Sequence, residues 1–360
     1  MDYRSRWQQR RRERAVRLRL ILIVAAVIAA VFAIISTRGV ARPAPAGYQL
    51  LRPDICWLAA IEDGILVTTR SGMLIKLTPD LAPAENGWSE PYTSPAGLWG
   101  RAAVADGNAL IGGADVRLRA IDLTTALATW EVEVGGAVPG VTVSGGEVFF
   151  GSDLPAIFSV TTAGVRRWSR PLDDHSASPP LVTDDAIITG TLAGQVCALD
   201  RRDGSLLWCL ETGAPIFAPP RMGPSSILVG DDAGLLHSVT PAGDLLFSLE
   251  MNGVIRHAAG ISGGVLVVGD SSGLLLRINP ADMTEIWRRR LPGPLAAEPV
   301  IVGDVVWVGA GEHLLALRVE SGATICERVA EAETSDVIAA HGRIYWATTN
   351  GRVRAVNCDD

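Results

Sequence analysis

Eight copies of a five-residue phrase, each with an aliphatic side chain at its first and fourth positions, run through this chain at nearly constant spacing. They are Leu74–Thr78, Leu118–Asp122, Ile157–Thr161, Val196–Asp200, Leu236–Thr240, Leu275–Asn279, Leu314–Arg318 and Val353–Asn357. Their first residues stand 44, 39, 39, 40, 39, 39 and 39 residues apart. A hydrophobic pattern held near a forty-residue period restricts the fold to a repeat architecture. Each unit is too small to bury its apolar face except against a neighbour.

The unit ending at Trp208 reads as four short strands: Leu181–Thr183, Ala186–Thr189, Val196–Asp200 and Ser205–Leu210. Asp and Gly turn residues separate them, which is the hairpin signature. Four antiparallel strands per unit, repeated, predict the blades of a β-propeller. A glycine precedes the phrase by two residues at Gly72, Gly194, Gly234, Gly273 and Gly351, where a tight turn needs a left-handed backbone. The third residue of the phrase is Ala or Ser in six of the eight copies, small enough for close packing between blades. A bulky group follows seven or eight residues after the phrase at Trp130, Trp168, Trp208, Phe247 and Trp287, and ten residues after it at Trp88. A large ring there fills the wedge between blades, so these tryptophans read as packing residues. The last unit ends without a fourth strand. Tyr48-Gln49-Leu50-Leu51 is expected to supply it, with Tyr48 in the place of the tryptophan, closing a ring of eight blades and removing its open edges. Seven blades is the alternative. The class is all-β, with the propeller over residues 48–360.

Before the repeats the chain changes character. Residues 1–19 hold eight arginines against Asp2 and Glu13, a net charge of +6, whereas the whole chain carries −7, leaving −13 for the remainder. An acidic body argues against nucleic-acid binding, which needs a basic surface. Leu20–Ile35 is an unbroken run of sixteen apolar residues, about 24 Å long as a helix. With Ser36 it can cross a bilayer, so residues 20–36 are expected to form a transmembrane helix or signal anchor. The arginines then stay in the cytoplasm, and the rest is exported behind a linker at 37–47. Ala44-Pro45-Ala46 offers the competing reading of a cleaved signal. The expected location is the cytoplasmic membrane, single-pass, N-terminus inside, with a periplasmic or extracellular propeller.

The residues Ala198-Leu199-Asp200, Asp203-Gly204 and Trp208, and again Ala120-Ile121-Asp122 with Trp130, resemble the repeat of the quinoprotein-like (PQQ-repeat) propellers. The resemblance covers residues 48–360. It implies the fold more than an activity, because the group includes pyrroloquinoline-quinone (PQQ) dehydrogenases as well as non-catalytic members such as the outer-membrane barrel-assembly lipoprotein propellers. The dehydrogenases hold calcium beside the quinone, and many carry a disulfide between adjacent cysteines. This chain has no adjacent cysteine pair and no evident set of oxygen ligands for calcium. The expectation is therefore no cofactor and no catalytic set: a membrane-anchored scaffold that binds other envelope proteins. The alternatives are a PQQ-dependent dehydrogenase and an extracellular ligand-binding or sensor module.

Individual residues add little catalytic signal. The five histidines (His175, His237, His257, His313 and His341) show no metal-ligand spacing. Gly-x-Ser-x-Gly occurs around Ser262 and Ser271, but no helix follows to make a nucleophile elbow. Gly230–Gly234 and Gly269–Gly273 occupy equivalent hairpin turns, so their aspartates read as turn residues. Cys197 and Cys209 stand six residues either side of Asp203 and are expected to face each other as a disulfide or thiol pair. Cys56, Cys326 and Cys358 have no evident partner. Aligned on the phrase, Trp57, Trp99, Arg101, Arg256, His257, Glu298 and Asp336 fall near the starts of the innermost strands, where they form a candidate binding site at the channel mouth.

Overall fold

The computed structural model describes residues 47–50, 52–84, 88 and 90–358. The basic segment, the apolar run Leu20–Ile35 and Ala44-Pro45-Ala46 lie outside the described residues. Among those described, no helix is long and apolar enough to cross a membrane.

The described residues form thirty-two strands in eight four-stranded antiparallel sheets. Blades 1 to 7 occupy 56–93, 98–133, 142–171, 181–211, 221–250, 260–290 and 300–329, and blade 8 occupies 334–356 together with Gly47–Gln49. In blade 4 the strands are Leu181–Val182, Ala186–Gly190, Gln195–Asp200 and Leu206–Glu211, within a residue or so of the limits expected from turn chemistry.

Burial explains why the sequence reads as it does. The second and third strands of each blade are covered on both faces by neighbouring blades. Ala186–Gly190 and Gln195–Asp200 are therefore nearly continuous buried runs. The outermost strand, Leu206–Glu211, alternates between exposed and half-buried positions instead. The turn glycines Gly194 and Gly234 adopt φ of 85° and 81°. A Cβ on Gly194 would meet Ala214 backbone at 2.7 Å, so both conformation and space exclude other residues there.

Ring closure uses the expected segment, in a different register. Gly47, Tyr48 and Gln49 pair with Arg354, Val353 and Arg352. Tyr48 thus faces the first residue of the phrase, whereas Trp208, Trp168 and Trp130 face the third (Ala198, Ser159 and Ala120). Tyr48 is two positions out of the tryptophan register and does not replace the indole.

The indoles themselves follow one rule. Each Nε1–H donates to the carbonyl of the residue just after the next blade's phrase: Trp88 to Leu123 (2.8 Å), Trp130 to Thr162 (2.9 Å), Trp168 to Arg201 (3.3 Å), Trp208 to Pro241 (3.0 Å) and Trp287 to Val319 (2.8 Å). Trp88, late in its blade, still finds the same acceptor. The ring of Trp168 lies over Gly204 and that of Trp208 over Gly243, where a Cβ would sit 2.6 Å from indole carbon. Opposite Trp130, Trp168 and Trp208 the small third residue (Ala120, Ser159 and Ala198) leaves room for the ring. Where that residue is long, its cation joins the same carbonyl: Lys76 reaches Leu123 (3.1 Å) and Arg277 reaches Val319 (3.1 Å).

Blade 7 has no tryptophan at this position. Cys326 occupies it, opposite Ala316, and is bonded to Cys358, the residue just after the phrase of blade 8. The sequence offered no partner for either cysteine. Their pairing joins two positions that other junctions join by indole and carbonyl. Between blades 8 and 1, Tyr345 Oη donates to Pro79, just after the phrase of blade 1 (2.9 Å), whereas Phe247 of blade 5 holds the indole position without a donor.

Candidate functional site: the central channel

The innermost strands begin at the axis, so the first residues of every blade converge there. They enclose a cavity of about 480 Å3. Trp57, Arg101, Arg256, His257, Glu298 and Asp336 all line it, from blades 1, 2, 6, 7 and 8. Trp99 does not; with Trp57, Arg70, Gly100 and Pro139 it lines a smaller side cavity of about 270 Å3.

Charges in the main cavity are matched. Arg101 grips Asp336 with two bonds, one from Nε at 2.9 Å, and also donates to the carbonyl of Val337 (3.1 Å). Asp336 is buried and accepts the backbone amides of Leu58 and Val337, each at 2.8 Å. One carboxylate therefore ties blades 8, 1 and 2 together. Arg221 grips Glu298 in the same forked way (3.1 and 2.6 Å), tying blade 5 to blade 7. Arg256 forks onto Asp232 (3.0 and 2.7 Å) and lies 5.0 Å over the Phe217 ring. A further chamber of about 540 Å3 shares Arg101, Ala102 and Glu298 with the first. These side chains form a charged waist between two compartments.

Burial lowers His257 below its ordinary value. Asp336 and Glu298 oppose that shift, while Arg101 adds to it. Burial pushes the Cys56 thiol up to about 12, with Asp54 and Asp336 reinforcing it. It is a structural thiol, not a nucleophile. The hydroxyls of Ser178 and Ser335, also in the cavity wall, are buried and bond to no described residue.

Sequence alignment on the phrase missed Arg221, Phe217, Ser178 and Ser335. Arg221 was detectable: it precedes its phrase by 15 residues, close to the 17 of Trp57, Arg101 and Asp336. The serines carry no such signal, since only the fold shows that their hydroxyls lack partners. Away from the axis, Cys197 and Cys209 lie directly opposite across their hairpin, 4.1 Å between Cα atoms, and form a disulfide. Asp231 and Asp270 bind turn amides, as their hairpin positions suggested. Among the described residues, no group of three or more His, Cys, Asp or Glu side chains is arranged to hold a metal ion.

Comparison with known proteins adds a family. The PQQ_2 family model, described as outer membrane protein assembly factor BamB, matches residues 114–253 and 232–360. Outer membrane protein assembly factor BamB of Yersinia pestis is 25% identical over 228 residues, covering 61% of this chain and 50% of that protein. The protein of the same name from Moranella endobia (strain PCIT) is 26% identical over 226 residues, with the same coverage. The chain thus matches about half the length of these curated relatives. The crystal structure of BamB from Moraxella catarrhalis superposes with a TM-score of 0.74 at 18% identity, covering 86% of this chain and 97% of that one. Saccharomyces cerevisiae Sqt1 superposes equally well, with a TM-score of 0.75 at 11% identity. At such identities the superpositions establish the fold alone.

Proposed function

This chain belongs to the PQQ-repeat family described as outer membrane protein assembly factor BamB, and from that membership we propose that it is a non-catalytic docking scaffold of the cell envelope. The family match over residues 114–360 carries the reading. The two disulfides support export, because such bonds persist in oxidising compartments. The basic segment and apolar run at the start of the sequence support attachment to the cytoplasmic membrane, N-terminus inside, with the propeller on the outer face.

The channel favours the non-catalytic reading on chemical grounds. Calcium beside a quinone needs six to eight oxygen ligands. The two carboxylates that line the channel, Asp336 and Glu298, are each held by a guanidinium fork. These residues do not fit a quinone–calcium site. Partners would meet the loops at the two faces of the ring, where insertions and side chains vary without disturbing the blades.

In-cell crosslinking of the full-length chain, followed by capture and mass spectrometry, tests the scaffold. A reproducible set of exported or membrane proteins supports it. A clean monomer overturns it.

The orphan hydroxyls of Ser178 and Ser335 favour a second reading, a channel mouth that binds a small polar molecule. Calorimetry against a panel of small carboxylates would show saturable heat that Arg256→Gln abolishes. No heat across the panel would remove this reading and leave the scaffold untouched.

A further inference from the structure

Blade 5 contains a relay that neither docking nor the channel uses. His237 stands on the strand Leu235–Val239, directly opposite Ser248 on the outer strand Leu245–Glu250. Its Nδ1 lies 2.9 Å from Ser248 Oγ, and its Nε2 lies 3.0 Å from Asp231 Oδ2. His237 is 3% exposed and Asp231 0%, whereas Ser248 is exposed. We propose that Ser248 is an activated nucleophile, a covalent acceptor for acyl or phosphonyl groups from activated esters.

The hydrogen-bond directions are fixed by what each atom can do. Asp231 Oδ1 accepts the amides of Ala233 (3.0 Å) and Leu235 (2.8 Å), which holds Oδ2 towards the imidazole. A carboxylate accepts and cannot donate, so the ring proton sits on Nε2. In the neutral imidazole Nδ1 is then a lone pair, and Ser248 Oγ donates to it. The hydroxyl proton therefore points at a base that a third group orients, while the oxygen's own lone pairs face solvent. That is the arrangement of an activated serine.

Turn chemistry alone does not account for it. The equivalent turn residue of blade 6, Asp270, uses its second oxygen on the amides of Asn252 and Gly253. Thr191, in blade 4, has a single oxygen, which accepts the Gln195 amide. At the pair corresponding to His237 and Ser248, other blades carry Phe158 with Ser169, Cys197 with Cys209, and Leu276 with Arg288. Blades 2 and 7 carry Arg119 with Glu131 and Leu315 with Glu327, so the repeat leaves this pair free to vary, and among these blades only blade 5 sets an imidazole against a hydroxyl. Leu246, two residues before Ser248, is 47% exposed and offers an apolar neighbour to an acyl chain.

In the step, Ser248 Oγ bonds to the acyl carbon or phosphorus and the bond to the leaving group breaks. The hydroxyl proton passes to His237 Nδ1 and from there to the leaving group. Asp231 stabilises the transient imidazolium.

The test is labelling of the full-length chain by a fluorophosphonate probe, with rates at each serine read by mass spectrometry. General-base assistance predicts labelling of Ser248 about a hundredfold faster than Ser321, an exposed turn serine whose hydroxyl faces a backbone amide. This comparison needs no variant. Ser248→Ala removes the adduct, and His237→Asn brings the rate down to that of Ser321. In Asp231→Asn the amide oxygen stays with the two turn amides and its NH2 faces Nε2, which puts the ring proton on Nδ1. Labelling then loses both its speed and its solvent deuterium isotope effect. Equal rates at Ser248 and Ser321, or a Ser248 rate unchanged in His237→Asn, overturn the proposal.

Discussion

Blades 4 and 5 meet through one indole; blades 7 and 8 meet through a disulfide. At the first junction Trp208 covers Gly243 and donates to the carbonyl of Pro241. At the second, Cys326 holds the tryptophan's register and Cys358 holds the acceptor's. The two junctions differ in the blade that each one holds. Blade 5 is four strands of continuous chain. Blade 8 is three strands completed by a three-residue segment from some three hundred residues earlier. So short a pairing closes a very long loop, which is entropically costly. A covalent bond at the end of the strand that receives Gly47–Gln49 fixes the edge on which closure depends.

The largest effect should come from breaking that bond. Cys326→Ala with Cys358→Ala should cost about 4 kcal/mol from the entropy of a loop of about thirty residues. The shorter loop of Cys197→Ala with Cys209→Ala should cost about 3 kcal/mol. Guanidinium unfolding under oxidising conditions measures both, and a reversed order would show that closure does not depend on the latch. Cys326→Trp with Cys358→Ala sharpens the point, since an indole there should recover part of the loss. Next comes Trp208→Ala, about 3 kcal/mol by the scale of half-buried aromatic truncation. Gly204→Ala should cost about 2 kcal/mol, because φ is 72° and the new methyl meets the Trp168 ring. Wild-type stability in that variant would mean that the ring and glycine do not bear on each other.

The smallest effect contrasts the rim with the channel. Neither an indole nor a disulfide titrates, so the junctions should be indifferent to mild acid. His257 is different: burial lowers it from 6.5. Its contribution is fully present above pH 6.5 and is lost as pH falls through the lower folded value, since the unfolded chain then binds the proton first. Melting temperature against pH should therefore decline on the acid side in wild type and decline less in His257→Gln.

How far the sequence could be read depended on whether a residue's partner was local. Cys197 and Cys209 face each other across one hairpin, so symmetry about Asp203 was enough to place them. Cys326 and Cys358 belong to different blades, and nothing in their spacing joins them. Tyr48 was assigned to the right blade in the wrong register. A three-residue strand contains too few alternating positions to fix its own phase. Arg101 and Asp336 were both placed at the channel by their offset from the phrase, but their pairing was not visible.

The sequence by itself determined the repeat, the four strands of a unit and the positions of the tryptophans, and it favoured eight blades over seven. These arise from a hydrophobic period and from turn residues, which act within one unit. Tertiary structure alone decided which carbonyl each indole meets, that a disulfide replaces one of them, that the channel's charges are paired, and that Ser248, His237 and Asp231 form a line. Those contacts join residues through the closed ring or across a blade, where distance is set by packing and not by position along the chain.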